Sequence, residues 1–448
     1  MSSVAKTGPS MDRRMARDQK PGRAARKKTG SAVALYLGIR DQGSGVRADP
    51  LVYTADMPLD VAAVQAALRE ERLDAWLLYD FRGSNPIARK LAGVNGAAKL
   101  ATRRWYYLLP AAGEPRGLVH RIEPHALDAL PGHKLQYADR GSLEAGLSQL
   151  LDGCRRVAME YSAECAIPYI ARVDAGTVEA VRGRGVEVIS SGDLVQRFEV
   201  RWSTRGLETH RAASERLYRI KDRAFDALRA VTRGRETTEY ALQQDMVRWF
   251  ADEGLVSDSP PVVAAMAHAG DPHYLPTAEH HGPIRRDELV LLDLWGKLDE
   301  PDAMFADITW VAVTGRAVRS AYQRAFEAIA QARDAAVAAV TEAVASGRTI
   351  RGFEVDRAAR AVLDTAGYAD HILHRTGHSL GETVHGNGAN LDDYETHDDR
   401  RLLSGTGFTV EPGLYFDTFG VRTEIDMYIG DREATVTGPR QAAIVTLE

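Results

Sequence analysis

The chain has 448 residues, 44% of them hydrophobic and 27% charged, ordinary values for a globular protein of two or three domains. Its 39 glycines and 18 prolines are too few for a collagen-like or low-complexity chain, and no apolar run approaches the roughly 18 residues of a membrane span. A net charge of −5 argues against nucleic-acid binding as a whole-chain role. Two cysteines, Cys154 and Cys165, cannot build a disulfide framework, so a reducing compartment, the cytoplasm, is the expected location.

The charge is uneven. Residues 1–31 carry nine basic side chains (Lys6, Arg13, Arg14, Arg17, Lys20, Arg23, Arg26, Lys27, Lys28) against Asp12 and Asp18. This head lacks the apolar core of a secretory signal and any periodic apolar residues that would offset its ordering entropy. Residues 1–56 are therefore expected to be a disordered basic extension. It reads as a basic arm or, preferably, as an over-long or non-native N-terminus, with Met57 opening the folded sequence.

Asp60 is placed to cap a helix carrying Val61, Val64 and Leu68. Ala75-Trp76-Leu77-Leu78-Tyr79 reads as a buried strand ending in the polar loop Asp80–Pro86. Trp105–Leu109 and Gly117–His120 form an expected hairpin. A helix over Leu143–Leu151, a strand over Val157–Glu160, a further helix and a strand over Val186–Ile189 complete an α/β alternation that closes near Ser203. Beyond it, Leu217, Ile220, Ala224 and Leu228 make one helical stripe. Thr238 is placed to cap a second helix with Leu242, Met246, Trp249 and Phe250. Strands are expected over Pro261–Thr314, two more helices over Val318–Ala345 and Glu354–Ala366, then strands and Gly-rich turns. Helix pair, strands, helix pair, strands suggests two related halves around one site.

Isolated acids stand inside those apolar strands: Asp293 in Glu288–Trp295, Asp307 in Ala306–Trp310, Glu411 in Thr409–Gly413 and Glu424 in Arg422–Asp426. A strand acid alone is more often solvent-facing, and Asp426 is read that way. Four buried carboxylates need cations. One could pair with Arg422, but four acids beside His378 suit a pair of divalent metals, since oxygen ligands plus one imidazole match Mn, Co or Zn.

From about residue 205 onward the chain resembles the pita-bread metallopeptidases: prolidase, aminopeptidase P and methionine aminopeptidase. The residues that carry the resemblance are His273-Tyr274-x-Pro276, Leu292-Asp293, Asp307-Ile308-Thr309, Gly377-His378-x-Leu380-Gly381, Val384-His385, Glu411-Pro412-Gly413-Leu414-Tyr415 and Val421-Arg422-x-Glu424. Residues 58–203 more weakly resemble the creatinase-type domain that accompanies prolidases. The resemblance implies an α+β fold, with an α/β creatinase-type N-terminal domain (57–203) and a pita-bread catalytic domain (204–448). It implies Asp293, Asp307, His378, Glu411 and Glu424 as ligands of two divalent ions, manganese first with cobalt or zinc as alternatives. His273 and His385 match the additional active-site histidines, and Arg422 the arginine before the last ligand. Asp293 and Asp307 stand further apart than is usual in the family, which a longer turn over Leu298–Asp302 would absorb. His385 is followed by Gly386-Asn387-Gly388 instead of the family's acid and proline-bearing turn, so pocket shape is expected to differ.

The implied activity is hydrolysis of Xaa-Pro bonds at a peptide's N-terminus by a two-metal-bridged hydroxide, with dipeptides (prolidase) preferred over longer peptides (aminopeptidase P). Glu411 is the candidate for moving the water's proton, and His385 and His273 for holding the substrate or the developing oxyanion. Arg422 or Arg375 would serve the substrate's carboxylate. A homodimer is implied by the family, with no nucleic-acid or membrane partner.

Gly377-His378-Ser379-Leu380-Gly381 fits the nucleophile elbow of a serine esterase, but a poor strand precedes Ser379 and Gly386 and Gly388 oppose a following helix. A non-enzymatic pita-bread binding module would usually have lost its ligands, and all five are present. His268, His280 and His281 are read as surface or satisfied residues, His371 and His374 as structural or pocket-rim, and Asp80–Arg82 as an internal salt bridge in preference to a pair reaching a neighbouring subunit's site. Deleting residues 1–50 should leave activity and melting temperature unchanged; a fall in either would show that the basic head belongs to the working protein.

Overall fold

The computed structural model describes residues 59–94 and 101–448. The basic head and Met57 lie outside the described residues. Among the described residues no helix is long and apolar enough to cross a membrane.

Asp60 caps the Val61–Glu70 helix by accepting from Ala63 N, and Val64, Ala67 and Leu68 face inward. Six strands then form one mixed sheet, in spatial order His133–Tyr137, Arg116–His120, Trp105–Pro110, Ala75–Asp80, Arg156–Met159 and Glu187–Ser190. Ala75–Asp80 is buried on both faces, which explains its unbroken apolar run. Trp76 and Leu78 enter one core, while Ala75, Leu77 and Tyr79 enter the other. It pairs antiparallel with Trp105–Pro110 and parallel with Arg156–Met159. The expected hairpin is present, with Tyr106 opposite Leu118.

The Asp80–Arg82 bridge is a correction. Asp80 is fully buried, lies 3.4 Å from Arg89 Nη1, and accepts from the backbone N of Gly83 and Asn85. Arg82 sits at φ 58° and Gly83 at φ 86°. That left-handed turn leaves Arg82 exposed while the carboxylate fastens the loop from inside.

The second half repeats one order twice. Ser203 caps the 29-residue helix Thr204–Thr232, whose inward stripe includes Leu217, Ile220, Ala224 and Leu228. Thr238 caps Glu239–Asp252. The Leu289–Leu298 strand follows, flanked antiparallel by Ala306–Val313 and Val262–Ala265. A second helix pair, Ser320–Ser346 and Gly352–Thr365, precedes a sheet of Ser379–Leu380, Gly407–Val410, Ile425–Ile429 and Ala434–Val436, plus the ribbon Gly413–Phe416 with Phe419–Arg422. Phe326, Ile329 and Val340 of the long helix share a core with Phe408, Val410, Val421 and Ile425. The backbone bond Glu424 N to Thr309 O (3.2 Å) stitches the two strand systems together. The architecture is α+β, as expected.

Gly377 is required by close approach. A Cβ there would lie 2.1 Å from the carbonyl oxygen of Thr409, whose own N–H bonds His378 O at 2.9 Å. Gly377→Ala should therefore push these segments apart and lower stability by about 1–3 kcal/mol in denaturant unfolding; an unchanged midpoint would refute this role.

Candidate metal centre

Paired residues of adjacent strands project to one face, and so do residues two apart on a strand. Asp293 lies opposite Thr309, and Trp295 opposite Asp307, so Asp293, Asp307 and Thr309 share a face. The turn between these strands, residues 299–305, holds the extra length without moving either acid off that face. His378 enters just before its short strand. Its Nδ1 lies 3.2 Å from Ser379 O, which leaves Nε2 to point at Asp307 Oδ2 (3.7 Å) and Glu411 Oε1 (3.5 Å). Glu411 leaves the end of Gly407–Val410, anchored by its N–H on Thr376 O.

All five sequence-predicted ligands line one cavity of about 720 Å³, and so do His273, His385 and Arg422. Among the described residues, Asp307, His378 and Glu424 form the tightest group: each offers one ligand atom, all within 4.8 Å of one another, and all three residues are buried. Asp293 is turned onto Arg422 Nη2. His385 lies against His378, ring centroids 4.4 Å apart, and His273 is exposed at the mouth.

The electrostatics call for a cation. Burial, then repulsion from Glu424 and Asp293, raises the Asp307 carboxyl well above its ordinary range; burial, then Glu411 and Asp293, does the same to Glu424. Burial pushes His378 down to about 3, so its imidazole is neutral and able to ligate. Asp307 Oδ1 is buried without a hydrogen-bond partner. Arg422 cannot neutralise the whole cluster: it brings one positive charge against four carboxylates, and its three nitrogens are engaged with Thr309 Oγ1 (3.1 Å), Tyr415 OH (3.1 Å) and Asp293. Oxygen donors around one neutral imidazole, one of them orphaned, fit a divalent metal of the Mn, Co or Zn kind.

Asp426 is the second correction. It is 2% exposed, accepts from Asp307 N at 3.1 Å through Oδ2, and stands 3.8 Å from the buried His210. Its strand is paired on both edges and packed against Ala306–Val313, so an acid that alternation alone would send to solvent is enclosed. Sequence reasoning also assigned no role to Thr309, whose hydroxyl donates to Glu424 Oε2 at 2.7 Å, or to Tyr415, whose hydroxyl lies 2.6 Å from His374 Nε2. Both sit inside motifs already singled out, two residues from Asp307 and four from Glu411.

His268, His280 and His281 fall outside the cluster. His268 Nδ1 lies 2.9 Å from the buried Glu239, which also accepts from Tyr274 OH at 2.6 Å. His280 and His281 are exposed. Ser379 Oγ accepts from Gly388 N, and turns rather than a helix follow its strand, so it has no nucleophile elbow.

A carboxyl whose pKa is higher folded than unfolded favours folding in its protonated form, and that contribution is lost as pH rises through the raised value. Asp307, Glu424 and Asp426 all have this sign. The difference in melting temperature between metal-loaded and chelator-treated protein should therefore widen from about pH 5 to pH 8; a gap that ignores pH would contradict the assignment.

Comparison with known proteins agrees with this geometry. Residues 208–431 match metallopeptidase family M24. The probable dipeptidase PepE of Mycobacterium tuberculosis is 26% identical over 351 residues, covering 77% of this chain and 85% of that protein. The Xaa-Pro dipeptidase of Pyrococcus furiosus is 27% identical over 223 residues, 49% of this chain and 59% of its own length. The crystal structure of dipeptidase PepE from Mycobacterium ulcerans shares the fold with a TM-score of 0.63 at 22% identity, over 86% of this chain and 96% of that one. The expected pita-bread fold is thus present. Half the length of this chain carries the family's sequence pattern around the acid–imidazole cluster, and the chain belongs to metallopeptidase family M24, a family of metal-dependent peptidases.

Proposed function

We propose that the protein hydrolyses Xaa-Pro dipeptides, as a prolidase, with two divalent ions held by Asp293, Asp307, His378, Glu411 and Glu424. The observation that carries this reading is the convergence of those five side chains with His273, His385 and Arg422 on one cavity. The Xaa-Pro dipeptidase among the relatives supports it. Bound there, the metals would supply an acidified water and an electrophile for the scissile carbonyl.

The chain's own groups do the rest. Burial raises the Glu411 carboxyl, but its neighbours outweigh it and hold it below its ordinary range; with His378 neutral, the lasting cations among them are Arg422 and Arg375. Glu411 is therefore ionised at neutral pH, suited to take a proton from water and return it to the leaving nitrogen. Arg422 bonds and aims Asp293, and Thr309 orients Glu424. His385 and His273, at the mouth, are placed to donate to the substrate carbonyl. Val262, Leu275, Trp295 and Val384 give the cavity apolar walls. Such walls suit a pyrrolidine ring, whose tertiary amide has no N–H to satisfy.

Metal-loaded protein should cleave Gly-Pro and Ala-Pro, lose that activity in chelator and spare a longer Xaa-Pro peptide. Cleavage of the longer peptide would instead select an aminopeptidase, and absence of both metal and cleavage a binding module.

A further inference from the structure

His385 borders the cavity without a bond of its own to aim it. Neither ring nitrogen makes a hydrogen bond among the described residues; the imidazole lies against His378, and the residue's carbonyl accepts from Thr383 Oγ1 at 3.0 Å. Where the ring stands is therefore set by the backbone that carries it. That backbone has little stiffness of its own, because Gly386-Asn387-Gly388 follows directly and glycines widen the conformations open to a chain.

The segment is held from outside, and the holds come from both halves of the chain. From the C-terminal half, Ser379 accepts from Gly386 N at 2.8 Å through its carbonyl and from Gly388 N at 3.1 Å through Oγ. Arg400 donates to the carbonyls of Asn387 and Gly388, at 2.7 Å each. From the N-terminal half, the single turn Gln196–Val200 supplies two acceptors. Gln196 Oε1 takes Ala389 N at 3.0 Å, and Glu199 Oε2 takes Asn387 Nδ2 at 3.2 Å.

One ammonium joins the two ends of this segment. Lys90, in the last turn of the Pro86–Leu91 helix, places Nζ 2.9 Å from Glu199 Oε1 and 2.8 Å from Glu382 Oε1. Glu382 stands three residues before His385 and Asn387 two residues after it, so the grip falls on either side of the histidine. Burial alone would favour the neutral amine, but Glu199 and Glu382 outweigh it and keep Lys90 charged. An isolated surface ion pair would fix little. Here one cation meets two carboxylates, and the side chain of Glu199 is only 8% exposed, with its second oxygen passing the hold to Asn387.

We infer that Lys90 and Glu199 are positioning residues for His385: the N-terminal half grips residues 382–388 on both sides of the histidine and so sets where its imidazole stands over the cavity. The inference rests on the reading of His385 as a group that holds the substrate.

The test is a double-mutant cycle on full-length, manganese-loaded protein with Ala-Pro as substrate. Lys90→Met should lower kcat/KM about 10- to 100-fold, the cost of misplacing a substrate-holding group by about 1 Å. Lys90→Arg should recover most of that loss. In a His385→Ala background, Lys90→Met should add almost nothing, because no imidazole is left to misplace. Lys90→Met combined with Glu199→Gln removes both charges and takes the place of the single variant if that one does not fold. Hydrogen exchange gives a readout independent of activity. The amides of Gly386, Gly388 and Ala389 should exchange faster in Lys90→Met, while those of the Thr204–Thr232 helix keep their rates. If Ala-Pro is cleaved but the two losses multiply, or His385→Ala is as active as wild type, the positioning role is overturned and the Xaa-Pro reading stands. If Ala-Pro is not cleaved, the Xaa-Pro reading fails and exchange decides: acceleration confined to this segment upholds the grip, and unchanged or general acceleration overturns it.

Discussion

Mutual repulsion among buried carboxylates governs this molecule. Asp293, Asp307, Glu411 and Glu424 face one cavity, with Asp426 enclosed directly behind Asp307. Taking such groups out of water is unfavourable by several kcal/mol each, and each charge makes its neighbour harder to ionise. One guanidinium, Arg422, cannot balance them. The arrangement makes physical sense around divalent cations, and much of the surrounding structure works to hold repelling groups where a cation can gather them.

That holding is done largely by backbone. Glu424 is fixed by its N–H on Thr309 O, Glu411 by its N–H on Thr376 O, and Asp426 by a bond from Asp307 N. Main-chain bonds have little freedom to relax, so the points from which the carboxylates project cannot drift apart. Glycine at 377 lets the segment carrying His378 approach Thr409 closely enough to bring the imidazole into the same space. The result is a preorganised site, with His378 stripped of its proton by burial and Glu411 kept ionised by its cationic neighbours.

Local features were legible in the sequence. The caps Asp60 and Thr238 act on their own helices, and the Leu217–Leu228 stripe needs only helical periodicity. The acids were legible as a set because buried strands rarely contain them. Contextual features were not. Asp426 looks like an outward-facing strand residue until neighbouring strands cover it, and Asp80 looks paired with Arg82 until a left-handed turn separates them. The placement of Tyr169 beside Arg375 joins positions 206 apart, beyond the reach of any local pattern.

The ligand atoms of the tightest group come from Asp307 on one strand system and from His378 and Glu424 on the other. Chain segments so distant in sequence meet late in folding, because loop closure must precede them. The cation can therefore recognise only a chain that is already assembled, and its binding energy is added to the native state alone. Metal scarcity would then act on abundance as well as on catalysis: an empty copy opens more often, and the quality-control proteases of its host would remove it first.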